Sequence, residues 1–462
     1  MNNRINLVMF LFSLLLVSCT MEPTISDQMA MGEEETVGDI RKLMDASYAS
    51  MANVSYLGRD YIIAGEVRAD NVYANGNSNR LTAMSQLRYT SLSYSSMFGR
   101  IYIAIRYPDI ILGNVDLENL EGNKDDLNHI IGEAYGARAM LHFDLLRNYG
   151  QQYIDEGENL GISYVKEFKK EQKPQPPRGA VEENKKDLYQ DLDQAIEYLK
   201  KGAQSQYATD RTRLTLDAVY ILKTRVATYF KEYDKVREAA QEVYGKHQVI
   251  KKEDFVDFWD DLSPRAIFEL EYDVKTALGS DGIGVIYRNI EKYGDIQCFD
   301  DLIEDAQFDP GDVRASSDMI DWQGNRLYNI GKYPHNTGDF TSQDNIKVFR
   351  YEELILNYAE ALVDTDNAKA RDLLNEIAGE RGAKLYTGNV DIDDVLAERR
   401  KELLFEGFRF YDLVRHQKTI RQLEEKVQNP HGEIEPGSYR LAMPIPDEEI
   451  NSNRETKQNP NY

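Results

Sequence analysis

Glu398-Arg399-Arg400-Lys401-Glu402-Leu403-Leu404-Phe405-Glu406-Gly407-Phe408-Arg409-Phe410-Tyr411-Asp412-Leu413-Val414-Arg415 sets acids and cations on a helical period. Arg399 and Glu402, Glu406 and Arg409, and Asp412 and Arg415 are i, i+3 neighbours, while Glu398, Glu402 and Glu406 climb one face at i+4. Val395, Leu396, Leu403, Leu404 and Val414 share the period, so the spacing predicts one amphipathic helix over Asp391–Lys418. Three carboxylates on one face repel unless guanidiniums interleave, as they do here. The stretch therefore predicts a partly buried ion network in which Glu398, Arg399, Glu402, Glu406, Gly407, Arg409, Asp412 and Arg415 lock neighbouring helices together. A glycosidase-like acid–base pair is the competing reading, but among 79 Asp and Glu residues close carboxylates arise by chance.

Outward from this stretch the chain reads as further amphipathic helices. Asp126–Asn148 places Leu127, Ile130, Ile131, Ala134, Ala137, Leu141 and Leu145 on one face, and Phe349–Val363 does so with Leu354, Ile355, Tyr358, Ala361 and Leu362. Leu216–Phe230 and Tyr233–Tyr244 form a pair joined near Lys231-Glu232. The Tyr229…Tyr233-x-x-Val236-x-x-Ala239-Ala240 spacing resembles the junction of a tetratricopeptide helix pair, as does Tyr358-Ala359-Glu360-Ala361…Ala368-x-x-Arg371-x-Leu373-Leu374. Such pairs stack because none buries its apolar face alone. A plain helical bundle meets the same periodicity. Asp364-Thr365-Asp366-Asn367 and Asp391-Ile392-Asp393-Asp394 lack the glycine and terminal glutamate of a calcium loop and read as helix caps. Between helices, Asn53–Arg80, Lys169–Gly179 and Lys251–Asp344 read as irregular, with Ala266–Leu270 as a short strand.

The balance of 55 Lys and Arg against 79 Asp and Glu, a formal charge of −24, argues against a nucleic-acid partner, which needs a basic stripe. It also disfavours polyanionic cargo as a mean-field argument. Two cysteines and six histidines leave no disulfide framework and no metal cage, and no nucleotide, hydrolase or metalloprotease motif is present, so neither cofactor nor metal is expected. At the start, Ile5–Val17 is an apolar run too short to span a bilayer, and Leu16-Val17-Ser18-Cys19 resembles a bacterial lipobox. Residues 1–18 then form a lipoprotein signal peptide, Cys19 is the lipidated residue, and 19–35 is a flexible tether. Cys298, left alone, is expected as a small buried hydrophobe.

Four stretches together resemble the SusD/RagB family of Bacteroidetes surface lipoproteins. The opening quotation resembles the family's Glu/Arg signature. Ala134–Gly150 resembles its N-terminal helix, and Arg350–Ala361 resembles its later "A-E-x-x-L-x-x-A-E-A" helix. Met443-Pro444-Ile445-Pro446-Asp447-Glu448-Glu449-Ile450-Asn451 and Gln458-Asn459-Pro460-Asn461-Tyr462 resemble its closing motif, with Ala378 and Asn461 as departures. The resemblance implies a mostly α fold, an α/α superhelix of tetratricopeptide-type helix pairs with long loops and a few short strands. It implies one SusD-like domain over 36–462, with an N-terminal part 36–250 and a C-terminal part 251–462. The function implied is non-catalytic capture of an oligosaccharide or peptide on the outer face of the outer membrane. A SusC-like TonB-dependent transporter is the implied partner. A surface hydrolase, or a tetratricopeptide scaffold that binds only proteins, are the alternatives.

In such proteins the ligand surface is built from loops between helices. Two tracts here combine rings with hydrogen-bonding groups. Tyr56–Asn79 offers Tyr56, Arg68, Asp70, Asn71, Tyr73 and Asn75, and Gly279–Tyr333 offers Tyr287, Arg288, Trp322 and Asn325. The competing reading is that these rings pin long loops to the helical body.

Overall fold

The computed structural model describes residues 36–462 except 115, 155–156, 167–175, 260–264, 289–292, 335–342 and 423–429. The expected signal peptide, Cys19 and the tether lie outside the described residues, as does most of the Lys169–Gly179 loop.

The fold is mostly helical and its helices stack in sequence. Helix α1 (Val37–Met51) opens on a capping box between Thr36 and Asp39. After α2 (Asp60–Val67), β1 (Val72–Ala74) and the single turn α3 (Thr82–Ser85), the long α4 (Ser95–Asn114) lies between α1 and α5 (Lys124–Tyr149). Asn123 caps α5 by accepting from the Asp125 and Asp126 amides. α5 runs along α6 (Val181–Lys201), which packs on α7 (Leu216–Tyr229), and α7 turns back into α8 (Tyr233–Gln241). The expected pair at Lys231-Glu232 is therefore present, and Lys231 makes the turn at φ 58°.

The second half begins with short pieces: β2 (Phe268–Leu270), α9 (Ile283–Tyr287), β3 (Ile296–Cys298), α10 (Leu302–Asp305), β4 (Ile320–Gln323), β5 (Arg326–Asn329) and β6 (Ile346–Phe349). Helices then resume with α11 (Tyr351–Leu362), which packs against α7 and α8, and α12 (Asn367–Arg381), its antiparallel mate. Asp366 caps α12 and Gly382 ends it at φ 70°, a left-handed position that glycine takes without strain. α13 (Ile392–Glu402) and α14 (Arg409–Arg415) follow, then β7 (Ile420–Gln422), β8 (Gly432–Ile434) and α15 (Asp447–Ser452). Among the described residues the strands pair as four antiparallel couples, β1–β3, β2–β6, β4–β5 and β7–β8. One hydrophobic cluster runs from Val37 to Ile445 through all the long helices, and Cys298 is buried in it.

Two expectations are corrected. Asn53–Arg80 is not wholly irregular, because α2 lies within it and is buried along its whole length. Asp391–Lys418 is not one helix. It ends at Glu402, and the chain turns through left-handed Phe405 (φ 70°) and Gly407 (φ 85°) before α14 begins.

Candidate functional site

The Glu/Arg signature forms a buried ion network, but its partners come from other elements. Glu402 accepts from Arg381 at 2.9 Å on each oxygen, from Arg350 at 3.1 Å and from Arg314 at 3.2 Å. Burial opposes its ionisation, and these guanidiniums nevertheless hold its carboxyl well below the usual carboxylate range. Glu398 takes Arg314 at 2.7 Å, and Glu406 takes Lys332 at 2.7 Å and Arg350 at 2.8 and 2.9 Å. Arg399 reaches forward to Asp412 at 3.0 Å and across to Asn357 at 2.6 Å. Of the three expected i, i+3 pairs, Asp412–Arg415 forms at 2.8 Å. Arg399–Glu402 and Glu406–Arg409 are replaced by these longer-range partners. The helix break at Glu402 takes Glu406 and Arg409 off a common face, whereas Arg399 and Glu402 share α13 but are each engaged by groups from other elements.

The same turn fixes the approach to the loops. Gly407 lies so close to α2 that an added Cβ would stand 2.9 Å from the Ile62 carbonyl, and its N–H donates to Glu66 at 2.8 Å. Arg409 grips Asp70 with two bonds of 2.7 Å, and Arg400 donates to Asn71 at 2.8 Å. These bonds hold the chain at the entrance to β1. β1 then pairs with β3, Tyr73 opposite Gln297, joining the two loop tracts that the sequence singled out.

Beyond that pairing the tracts stay bound to one another. Asn75 donates from its backbone to the Asp295 carbonyl at 2.9 Å and from its side chain to the Gly294 carbonyl at 2.6 Å. Arg80 donates to Asp295 at 3.1 Å and to Asp281 at 2.9 Å, and its guanidinium stands 4.9 Å from the centre of the Tyr293 ring. Arg59 also reaches Asp281, at 3.4 Å. From the β4–β5 hairpin, whose turn contains Gly324 at φ 70°, Arg326 donates to Asn77 at 3.3 Å. The result is a surface of amides, a hydroxyl, a fixed guanidinium and a phenol ring. Asn77, Ser78, Asn79 and Asn325 are exposed on it, and Trp322 on the hairpin is 46% exposed.

The structure sorts the sequence-predicted ligand residues into two groups. Asn75, Trp322 and Asn325 reach the surface. Tyr56, Arg68, Asn71, Tyr73, Tyr287 and Arg288 are buried, and this corrects their expected role. Tyr56 donates to Asp144 at 2.5 Å, and Arg68 donates to the Ala64 carbonyl and Asn148, both at 2.7 Å. Asn71 is held by Arg400, and Tyr73 lies 5.1 Å from the Phe299 ring. Tyr287 donates to the Phe405 carbonyl, and Arg288 to the Pro334 and Ile330 carbonyls. Asp70 is half-buried and spent on Arg409. These groups pin loops to the body. Asn77, Arg80, Asp281, Tyr293 and Arg326 join this surface without having been singled out in the sequence. The run Asn75-Gly76-Asn77-Ser78-Asn79-Arg80, polar and turn-forming just after a strand, was the available signal.

Two family models cover almost the whole described chain. One, described as "SusD family", matches residues 246–462, and one described as "Starch-binding associating with outer membrane" matches residues 25–227. The chain belongs to the SusD family. Among SusD-family relatives, SusD-like protein P2 of Formosa agariphila is 24% identical, covering 93% of each chain. A SusD superfamily protein from Bacteroides thetaiotaomicron superposes with a TM-score of 0.82 at 26% identity, covering 92% of this chain and all of its own. A candidate sugar-binding protein of Bacteroides vulgatus superposes at 0.83 with 25% identity, over 93% of this chain and 99% of that one.

Proposed function

We propose that this SusD-family protein captures an oligosaccharide without chemical turnover, at the surface where the Asn75–Arg80 segment meets Asp281, Tyr293 and the Trp322–Arg326 hairpin. The observation that carries the reading is the fixing of a guanidinium and a phenol ring beside exposed amides, with an exposed indole on the adjoining hairpin. Stacking faces offer purchase on the C–H face of a sugar, and amide and guanidinium groups suit its hydroxyls. The Bacteroides vulgatus relative supports sugar as cargo, and the starch-binding description of the N-terminal family model agrees with it. The signature carboxylates are engaged by guanidiniums and support no acid–base role. Lipidation at Cys19 tethers the protein to the outer face of the outer membrane, and the bound glycan passes to a SusC-like TonB-dependent transporter.

Calorimetry of the mature chain against panels of neutral oligosaccharides and peptides tests the reading. Trp322→Ala and Arg80→Ala should each weaken glycan binding about tenfold, the worth of one good contact. Glycan affinity unchanged in both variants would overturn the placement. Binding of peptides alone would overturn the cargo. Co-purification with the barrel transporter from membranes tests delivery.

A further inference from the structure

A pocket of about 460 Å³ lies between the Leu87–Thr90 segment and the Pro430–Arg440 segment, and it shares no lining residue with the loop surface. Its lining contains Arg88 and Arg440 and, among the described residues, no acidic side chain. That is unusual in a chain with 79 Asp and Glu against 55 Lys and Arg. Arg440 is oriented by donating to the Leu87 carbonyl at 3.1 Å and the Gln86 carbonyl at 2.7 Å, and Arg88 is exposed. Tyr439 and Tyr462, 44% and 36% exposed, meet edge-on with ring centres 5.2 Å apart.

His431 completes the lining. Its Nδ1 lies 2.9 Å from the Gly432 carbonyl, which can only accept, so Nδ1 carries the proton. Nε2 is then a buried acceptor, and it has no partner among the described residues. Burial, aided by Arg440, pushes the imidazole down to about 4, so the ring is neutral at physiological pH.

These groups ask for one kind of molecule. The tyrosines suit an apolar ring face, and among the described residues none donates to His431 Nε2 and none pairs its charge with Arg88 or Arg440. We infer that this pocket binds an acidic sugar unit, a hexuronate, whose carboxylate meets Arg88 and whose hydroxyl is accepted by His431. The mean charge of the molecule disfavours such cargo, but over the few ångströms of a pocket the local cations outweigh distant carboxylates screened by salt.

Glucuronate is the probe, with glucose and acetate as controls, titrated into the mature chain by calorimetry or ligand-observed NMR. Glucuronate should bind at least tenfold more tightly than glucose or acetate and weaken as salt is raised. Arg88→Gln and Tyr439→Ala, both at exposed positions, should each weaken it about tenfold. Equal affinity for glucose or acetate would overturn the acidic-sugar assignment. Glucuronate binding that survives both substitutions but falls in Trp322→Ala would overturn the pocket. Neutral-oligosaccharide capture, read through Trp322 and Arg80, stands or falls separately.

Discussion

Glu66 is the acid of α2 that faces the signature turn, accepting from the Gly407 N–H and from Asn71. Full burial pushes its carboxyl up to about 7 from an ordinary 4.5, more than the two donors pull it down. A raised folded-state value gives a stability contribution that is complete below the unfolded value and lost as pH climbs through the folded one. Melting temperature should therefore fall between about pH 4.5 and pH 7 relative to Glu66→Gln, by up to ~3 kcal/mol of stability. Parallel pH curves for the two proteins would refute this. Glu406, in the same turn, is an acid held by Lys332 and Arg350. Glu406→Ala leaves two buried cations without it and should cost about 3 kcal/mol in a denaturation series, with glycan affinity intact below the melt. Lost binding at unchanged stability would make it a ligand contact instead. At this scale the sequence showed which acids carry the network but not their partners. Asp412–Arg415 was readable because one helix holds both, whereas Arg314, Lys332, Arg350 and Arg381 reach Glu402 and Glu406 from remote segments that spacing cannot connect.

Among the elements, the break between α13 and α14 matters most. Periodicity alone carried the helix through it, because Leu403, Leu404 and Val414 keep the apolar rhythm on both sides. Gly407 was the readable warning. Its positive φ and its contact with α2 both exclude a side chain, so Gly407→Ala combines backbone strain with overpacking and should cost about 3 kcal/mol or more. Gly388, at φ 75° with open space around it, is the internal control, and Gly388→Ala should cost only about 1 kcal/mol. Equal losses by chemical denaturation would show that the α2 contact is unimportant. The helix pairs α7/α8 and α11/α12 were legible because each has a short turn and a periodic apolar face. Tyr56, Tyr73 and Tyr287 misled as ligand rings because a tyrosine that binds and one that anchors a loop carry the same letter, and only burial separates them.

For the whole molecule, the lipobox resemblance bears on where the protein works. Cys19→Ala should move it from the membrane fraction to the soluble one and abolish surface labelling. Unchanged fractionation would refute lipid anchoring. The α/α architecture followed from motifs spread along the chain, while the candidate site did not, since it exists only where two distant tracts meet. That meeting is the β1–β3 pairing, Val72–Ala74 against Ile296–Cys298. Such a contact closes a very long loop, and contacts of high sequence separation form late and slowly. As the chain emerges the N-terminal helices can stack, but the surface that would hold cargo must await the arrival of Cys298. Nor can either half carry specificity by itself, so recombination that swaps one half between relatives would reset the pairing along with the ligand. On the proposed placement, recognition is inherited as a matched pair of segments.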